Sequence, residues 1–293
     1  MAGLRERVAP MRARETDLVA VGVSPHAPYS VSDPLFEAVA AYARAEGLPV
    51  AVHTAESAAE DALVREGAGP FADGLRRRGI ATPARAPTTV ALLARTGILA
   101  LRPLLIHAVR LHGDDVRRIA DAGAAIAHCP IANARLGHGI APVAALDAAG
   151  VTVGLGTDSV AANNRLDLLE EARAAQLFQR TRDGDGTIFP PHRLLRMLTL
   201  DGARALGFGD RTGSLDVGKD ADLCAVSFAS PHVRPVHDPL AALVLAARAS
   251  DVVLAAVRGR ILYRDGEVLT LDERGTRAAV EATARRICRG ERA

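Results

Sequence analysis

The sequence predicts an α/β fold of the (β/α) barrel type, followed by a small β-rich domain. Short β-branched and apolar strands alternate with longer helical patterns through most of the chain, which is typical of parallel βαβ units. Several of these strands end in side chains suited to catalysis. An open sheet normally collects its ligands at one switch point, so this repetition favours a barrel.

The elements of the barrel portion follow from this alternation. Strands are predicted near residues 19–23, 49–52, 104–106, 124–127 and 151–155. Helices are predicted from their apolar periodicity and from acidic, proline or capping residues at their starts, over residues 33–45, 57–66, 88–95, 114–122, 143–149, 167–180 and 191–206.

The character of the chain changes after residue 207, where turn residues replace the helical pattern. The turn-rich segment 213–223 leads into apolar strands over 223–228, 251–257 and 261–263, then a hairpin turn at 265–267 and an amphipathic helix over 273–289. We therefore expect a barrel portion over residues 1–207, and part of a small β-sandwich domain with a terminal helix over residues 208–293.

Composition excludes several classes of function. A formal net charge of +2 on 293 residues gives no reason to expect nucleic acid or an acidic membrane as a partner. No apolar run reaches the ~18 residues of a membrane span, and the start of the chain lacks a secretory apolar core. Three widely spaced cysteines imply no disulfide framework. The sequence predicts a cytoplasmic protein.

Catalytic-type side chains recur at four predicted strand ends. They are His26, His53 with Glu56, His107, and Asp158. Imidazole and carboxylate groups on separate rigid strands suit a divalent metal that keeps a position open for water. The pattern predicts a metal-dependent hydrolase, whereas a lone histidine at a strand end is more often a hydrogen-bonding loop residue.

These motifs, taken in order, resemble the amidohydrolase superfamily, specifically its cytosine-deaminase-like and chlorohydrolase-like aminohydrolases. The resemblance rests on Pro25-His26-Ala27-Pro28-Tyr29, His53-Thr54-Ala55-Glu56, His107, His128-Cys129-Pro130 with Asn133, Gly156-Thr157-Asp158-Ser159, and Gly213–Leu223. It implies a distorted (β/α) barrel with a small β-domain and one divalent metal, zinc or alternatively iron.

One departure from the family pattern concerns the metal ligands. The family carries a His-x-His pair on its first barrel strand, and no two of the nine histidines here are separated by one residue. By resemblance the chain begins just before the fourth strand, so residues 1–207 correspond to strands four to eight. We expect either a fragment or a reduced relative that lacks the first strands.

The resemblance also implies roles for individual residues. It makes His53 and Asp158 metal ligands, Glu56 the carrier of a proton between water and substrate nitrogen, and His107 a hydrogen-bond donor to the attacking water or the tetrahedral oxygen. His26, Glu56 and Asp158 would bind substrate. A glutamate stabilised by a helix N-terminus is the plainer alternative for Glu56.

Other residues are assigned from their surroundings in the sequence. His128 is left open between a structural and a functional role, and Asn133 and Asn163-Asn164 are expected to shape loops near the pocket. Surface or loop roles are expected for His112, His138, His192, His232 and His237. The only lysine, Lys219, lies in a turn, which disfavours a dinuclear site with a carbamylated lysine.

The function implied is deamination of an amino-substituted heteroaromatic ring by metal-activated water. The motifs look most like those of deaminases of S-adenosylhomocysteine, methylthioadenosine or aminodeoxyfutalosine, so an adenosine-type small molecule is the expected substrate. Two alternatives stay open: chlorohydrolase-type dehalogenation of a triazine-like ring, and an inactive truncated family member. The sequence leaves a homo-oligomer open.

Overall fold

The computed structural model describes residues 1–290, apart from the side chain of Ala2. The chain divides into two compact units, Met1–Gly209 and Asp210–Ala293. The domain boundary predicted from the sequence lies two residues before this division, and the last three residues of the predicted second domain lie outside the described residues.

The first unit is built on a four-stranded parallel sheet whose strand order follows the chain. Its strands are β1 Ala51–Thr54, β2 Leu104–His107, β3 Ala125–His128 and β4 Val153–Leu155. Its helices are α1 Ala2–Arg12, α2 Asp33–Glu46, α3 Ala58–Glu66, α4 Gly69–Arg76, α5 Thr89–Arg95, α6 Asp115–Ala122, α7 Pro130–Arg135, α8 Val143–Ala148, α9 Val160–Asn163, α10 Leu168–Asp183, α11 Pro191–Leu198 and α12 Leu200–Ala205. The strand–helix alternation matches the prediction, and in the described residues the sheet is open rather than closed.

Buried and partly exposed side chains alternate along the strands of this sheet. Val52, Leu105, Ile126 and Val153 are fully buried, while their neighbours along each strand are partly exposed or smaller. Each such side chain stabilises the fold by about 1.5–3 kcal/mol relative to exposure. The face of the sheet that carries these side chains packs against the helices. The loops therefore lie at the carboxyl ends of the strands.

The strand predicted near residues 19–23 is wrong. Only isolated bridges form, Val19 with Thr16 and Val23 with Val50, while Leu18 and Val19 are 64% and 57% exposed. A strand needs a neighbour to satisfy its backbone groups. Within the described residues no strand lies on the far side of this segment, so β-branched composition alone does not extend the pairing.

The single helix predicted over residues 191–206 is also wrong, because it breaks at Thr199, which has φ −125° and ψ −94°. The break separates α11 from α12 and lets α12 approach β4 closely. A Cβ atom added to Gly154 of β4 would lie 2.8 Å from the Cα of Gly202 of α12. Helices α4, α7 and α9 were not predicted, since their patterns span two turns or fewer.

The second unit contains one antiparallel sheet in chain order. Its strands are β5 Leu223–Val226, β6 Val252–Val257, β7 Arg260–Arg264 and β8 Glu267–Val268, and its helices are α13 Pro239–Ala241 and α14 Glu273–Cys288. The predicted hairpin is confirmed: Asp265 and Gly266 have φ of 47° and 95°, the left-handed values of a tight two-residue turn. Among residues 1–290, no helix combines the length and the apolar character needed to cross a membrane.

Candidate active site

The chemistry-bearing side chains of the first unit lie at one edge of its sheet. β1 contains His53 and is followed by Glu56, β2 ends at His107, β3 ends at His128, and Asp158 follows β4 by three residues. All four strands run in the same direction, so their carboxyl ends meet at this edge. The parallel topology thus collects residues that are a hundred positions apart in the chain.

The backbone adopts left-handed conformations where the chain leaves these strands. Ala55, His107, Ala108 and Asp158 have φ of 51°, 76°, 49° and 58°. Residues with a Cβ atom avoid this region, at a cost of order 1–3 kcal/mol each, and such conformations cluster at functional sites. The surrounding hydrogen bonds must therefore hold these turns in place.

His53 is oriented by a backbone carbonyl. Its Nδ1 lies 3.1 Å from the carbonyl oxygen of His26, which also accepts from the His53 backbone N–H at 2.9 Å. A carbonyl oxygen only accepts, so Nδ1 carries the proton and Nε2 keeps its lone pair. This is the outer contact that usually accompanies a metal-binding imidazole.

Glu56 is a buried carboxylate surrounded by polar rings. Its Oε1 lies 3.3 Å from Nε2 of His138 and 3.5 Å from Nε2 of His107, and its Oε2 accepts from the Tyr29 hydroxyl at 3.5 Å. Burial, followed by the charges of Glu56 and Glu60, raises the pKa of Tyr29 to about 12, so this hydroxyl stays a donor. Glu56 is thus placed to take up and release a proton.

Glu60 braces the turn that carries Glu56. Its fully buried carboxylate accepts from the backbone N–H of Ala55 at 3.0 Å and of Glu56 at 2.8 Å, while Ser57 Oγ accepts from the Glu60 N–H at 3.2 Å. Burial raises the pKa of Glu60 to about 7, against the lowering effect of these two backbone donors. The first turn of α3 therefore holds the left-handed Ala55 and the backbone of Glu56.

His107 is buried at the end of β2 and held by Asn133. Its Nδ1 lies 2.9 Å from Asn133 Oδ1, and burial lowers the pKa of the imidazole. The other ring nitrogen, Nε2, lies 3.5 Å from Glu56 Oε1. The structure therefore brings His107 and Glu56, two of the predicted site residues, next to each other.

Asp158 sits in a braced loop after β4. Its Oδ1 accepts from the Ser159 N–H at 2.5 Å, and Asn163 Nδ2 donates to the Thr157 carbonyl at 2.6 Å. Asn163 also donates to the buried Glu171. Burial is the main cause of the raised pKa of Tyr29 and the charge of Asp158 adds a smaller contribution, so Asp158 lies within electrostatic range of the Tyr29 hydroxyl beside Glu56.

His128 and Cys129 are buried at the end of β3, and the Cys129 sulfur lies against the backbone of Asp158. Burial, then the charge of His107, lowers the pKa of His128 to about 3, and its Nδ1 has no hydrogen-bond partner among the described residues. Burial raises the pKa of the Cys129 thiol to about 12. A neutral imidazole and thiol buried in the core favour a packing role for His128, which stays a prediction.

His26 stands at the edge of the pocket, and its exposed ring packs 5.0 Å from that of His53 between centroids. Its Nδ1 lies 2.7 Å from Ser30 Oγ, whose hydroxyl donates to the Ala27 carbonyl. Nδ1 therefore donates, and Nε2 is left as an acceptor towards the pocket. This placement is compatible with the substrate contact predicted for His26.

Two residues of the site were missed from the sequence. His138 was expected in a surface loop but contacts Glu56, and Asn133 was expected to shape a loop but is buried against His107. Neither lies at the end of a strand, the position that marks the other candidate residues. A signal for His138 existed in the two glycines that flank it, since they permit a tight loop near a pocket.

The structure brings together only some of the side chains that a metal site needs. Within residues 1–290, no group of three or more His, Cys, Asp or Glu side chains forms a metal cluster. His53 Nε2 and the Asp158 carboxylate are donors of the type that zinc prefers, and the His53 tautomer fits a ligand. Zinc sites use three or four protein ligands, so His53 and Asp158 are candidates for two of them.

Comparison with known sequences places these motifs in context. A profile described as the amidohydrolase family matches residues 3–262. A 5-methylthioadenosine/S-adenosylhomocysteine deaminase of Moorella thermoacetica is 40% identical over 252 residues, which cover 85% of this chain and 54% of that protein. The enzyme of the same name from Pelotomaculum thermopropionicum is 38% identical, covering 91% and 58%. The chain thus spans little more than half the length of these relatives.

Solved structures give the same picture. An adenosine deaminase from Xanthomonas campestris with bound zinc superposes with a TM-score of 0.84 at 33% identity, covering 96% of this chain and 61% of that one. A mutant atrazine chlorohydrolase from Arthrobacter aurescens, complexed with zinc and atraton, gives 0.80 at 27% identity, covering 94% and 58%. These likenesses confirm the resemblance and the fold class inferred from the motifs.

Proposed function

Because the chain belongs to the amidohydrolase family, we propose that it serves as a metal-dependent aminohydrolase that deaminates an adenosine-type nucleoside. The observation that carries the proposal is the buried Glu56 carboxylate, held between His107 and Tyr29 beside the ligand-type His53. The names of the relatives, methylthioadenosine/S-adenosylhomocysteine deaminases, support the substrate class.

Each residue has a part in this reaction. Glu56 takes a proton from the attacking water and delivers it to a ring nitrogen, while the His107 imidazole hydrogen-bonds the oxygen that develops negative charge. Asp158, as a second base, takes the remaining proton of that oxygen and passes it to the exocyclic amine, so that the C–N bond breaks and ammonia leaves. His26 Nε2 accepts a hydrogen bond from the substrate. A divalent cation, zinc by preference and iron as the alternative, held in part by His53 and Asp158, would supply an activated water.

Ammonia release tests the proposal directly. The 293-residue chain, loaded with zinc, is offered methylthioadenosine, S-adenosylhomocysteine and adenosine, with atrazine as the competing substrate class. We expect ammonia from at least one nucleoside. Chloride release from atrazine alone would support the chlorohydrolase alternative, for which the likeness to the Arthrobacter enzyme speaks. No turnover of any compound would favour the inactive, truncated alternative.

Glu56→Gln tests the assignment of the proton carrier. The amide keeps the shape of the side chain but cannot exchange the proton, so turnover should fall by about 10²–10⁴-fold. Glu66→Gln is the matched control, since Glu66 is exposed at the C-terminal end of α3, the helix that follows Glu56. Retention of most of the wild-type rate by Glu56→Gln would place the role elsewhere, with Asp158 the next candidate.

A further inference from the structure

His138 makes a contact that neither its position in the sequence nor the proposed reaction accounts for. Its Nε2 lies 3.3 Å from Glu56 Oε1, and the side chain is 20% exposed against 11% for that of Glu56. The ring therefore lies at the outer side of the pocket, next to a carboxylate that is almost withdrawn from water. The flanking Gly137 and Gly139, with φ of 70° and 108°, form the tight loop that brings the ring there.

Asn133 links His138 to the other imidazole that faces Glu56. The His138 backbone N–H donates to the Asn133 carbonyl at 2.9 Å, and the Asn133 side-chain oxygen holds His107 Nδ1 at 2.9 Å. One buried residue at the end of α7 thus sets the positions of both rings. Both then present Nε2 to the same oxygen of Glu56, at 3.3 and 3.5 Å.

This arrangement makes the two oxygens of Glu56 different. Oε1 is engaged by His107 and His138, whereas Oε2 meets only the Tyr29 hydroxyl, at the long distance of 3.5 Å, among the hydrogen bonds of the described residues. A carboxylate fixed through one oxygen cannot rotate freely, so the other oxygen keeps its direction. Restricting a catalytic group to one geometry is a substantial part of enzymatic rate enhancement.

We propose that His138 is a positioning residue for Glu56, fixing Oε1 so that Oε2 is the oxygen that exchanges a proton with the substrate. The inference rests on the proposed function for its effect on catalysis. The contact itself does not, and it is measurable in the stability of the chain. A solvent-exposed ion pair of no consequence is the competing explanation, because such pairs contribute little.

A double-mutant cycle on the zinc-loaded 293-residue chain separates the two explanations. The variants are His138→Ala, Glu56→Gln and the two combined, with His138→Gln keeping a donor and the exposed His192→Ala as the matched control. We expect His138→Ala to lower kcat about tenfold with a smaller change in KM, which is within the range for contacting residues. His138→Gln should recover part of this loss, and His192→Ala should leave kcat unchanged.

The combined variant is decisive. If His138 acts through Glu56, removing it from Glu56→Gln should change kcat by less than about twofold. An additive, tenfold further loss would overturn the inference, as would a His138→Ala rate equal to that of His192→Ala.

Urea unfolding of the wild type, the two single variants His138→Ala and Glu56→Gln, and the combined variant is a measurement that does not depend on turnover. We expect the effects of the two substitutions on the unfolding equilibrium constant to depart from additivity by about threefold or more. If the wild-type chain deaminates nothing while this coupling is present, the proposed function fails and the contact stands. If the chain is active and both cycles are additive, the function stands and the role of His138 is wrong.

Discussion

At the scale of single residues, His53 and Asp158 are the expected first ligands of a metal. Replacing either with alanine should weaken zinc binding by more than the ~10–100-fold typical of losing a residue that merely supports a ligand. Equilibrium dialysis of the wild type and of each variant against zinc measures this. His192→Ala is the control, and an unchanged dissociation constant in both ligand variants would contradict the assignment.

Glu60 gives a pH-dependent prediction. Its pKa of about 7 in the folded chain lies above its usual 4.5, so between these values the folded state holds a proton that the unfolded state has lost. Stability from this group therefore falls as the pH rises from about 4.5 to 7, by on the order of 3 kcal/mol.

The neutral side chain in Glu60→Gln cannot contribute to that fall. Urea unfolding at pH 5 and pH 7 should thus show a smaller loss of stability with rising pH than in the wild type. Glu66→Gln, on the exposed side of α3, should keep the wild-type slope. Equal slopes in Glu60→Gln and the wild type would show that Glu60 is already ionised at pH 5.

At the scale of elements, the contact between β4 and α12 supports the loop that carries Asp158. Gly154→Ala would put a Cβ atom 2.8 Å from the Cα of Gly202, so backbone must move. We expect a loss of about 1–3 kcal/mol in unfolding free energy, as for other overpacked sites. Thermal or urea unfolding measures it.

Gly74→Ala is the matched control for this substitution. Gly74 lies within α4, and a Cβ atom there would meet only the end of the Arg77 side chain, at 3.9 Å. Alanine favours helices over glycine by up to about 1 kcal/mol, so this variant should be as stable as the wild type or more so. Equal behaviour of the two variants would show that β4 and α12 are not in close contact.

The elements also show where sequence patterns suffice. Val52, Leu105 and Ile126 lie in short apolar runs between helical patterns, and these runs predict their strands. The segment 19–23 is a similar run but forms only isolated bridges, at Val19 and Val23, because strand formation depends on a neighbouring strand as well as on propensity. Thr199 breaks a helix whose apolar periodicity is continuous, because close packing on Gly154 outweighs local preference.

At the scale of the whole molecule, one edge of the sheet of the first unit has no partner strand in the described residues, since β4 pairs only with β3. At the other edge the backbone of residues 23–26 accepts hydrogen bonds from β1, and the preceding Leu18 and Val19 are exposed apolar residues. Unpaired edges with apolar residues recruit other strands. We therefore expect the 293-residue chain to self-associate, with apparent mass rising with concentration in light scattering after size exclusion.

Charges at this edge should reduce the association. Leu18→Lys combined with Val19→Lys replaces these two exposed apolar side chains with charges, a means by which natural sheets block edge pairing. Leu215→Lys, at a position 82% exposed in the second unit, is the control and should leave the association unchanged. A wild-type chain that stays monomeric at all concentrations would contradict the expectation.

The sequence by itself determined the strand–helix alternation and the residues that end each strand, because both are local. Apolar periodicity is set by neighbours two to four positions away, and His53, Glu56, His107 and Asp158 stand out beside it. The resemblance to a known family assigned a reaction class to these residues. The relatives confirm the family.

Only the tertiary structure decided which of these groups meet and in what protonation state. The contact of His138 with Glu56 joins residues 82 positions apart through a loop, and the pKa of about 7 for Glu60 arises from burial by the surrounding chain. Such properties depend on distance and on exclusion of water, which are set when separate elements pack together. They are therefore absent from any local pattern of the sequence.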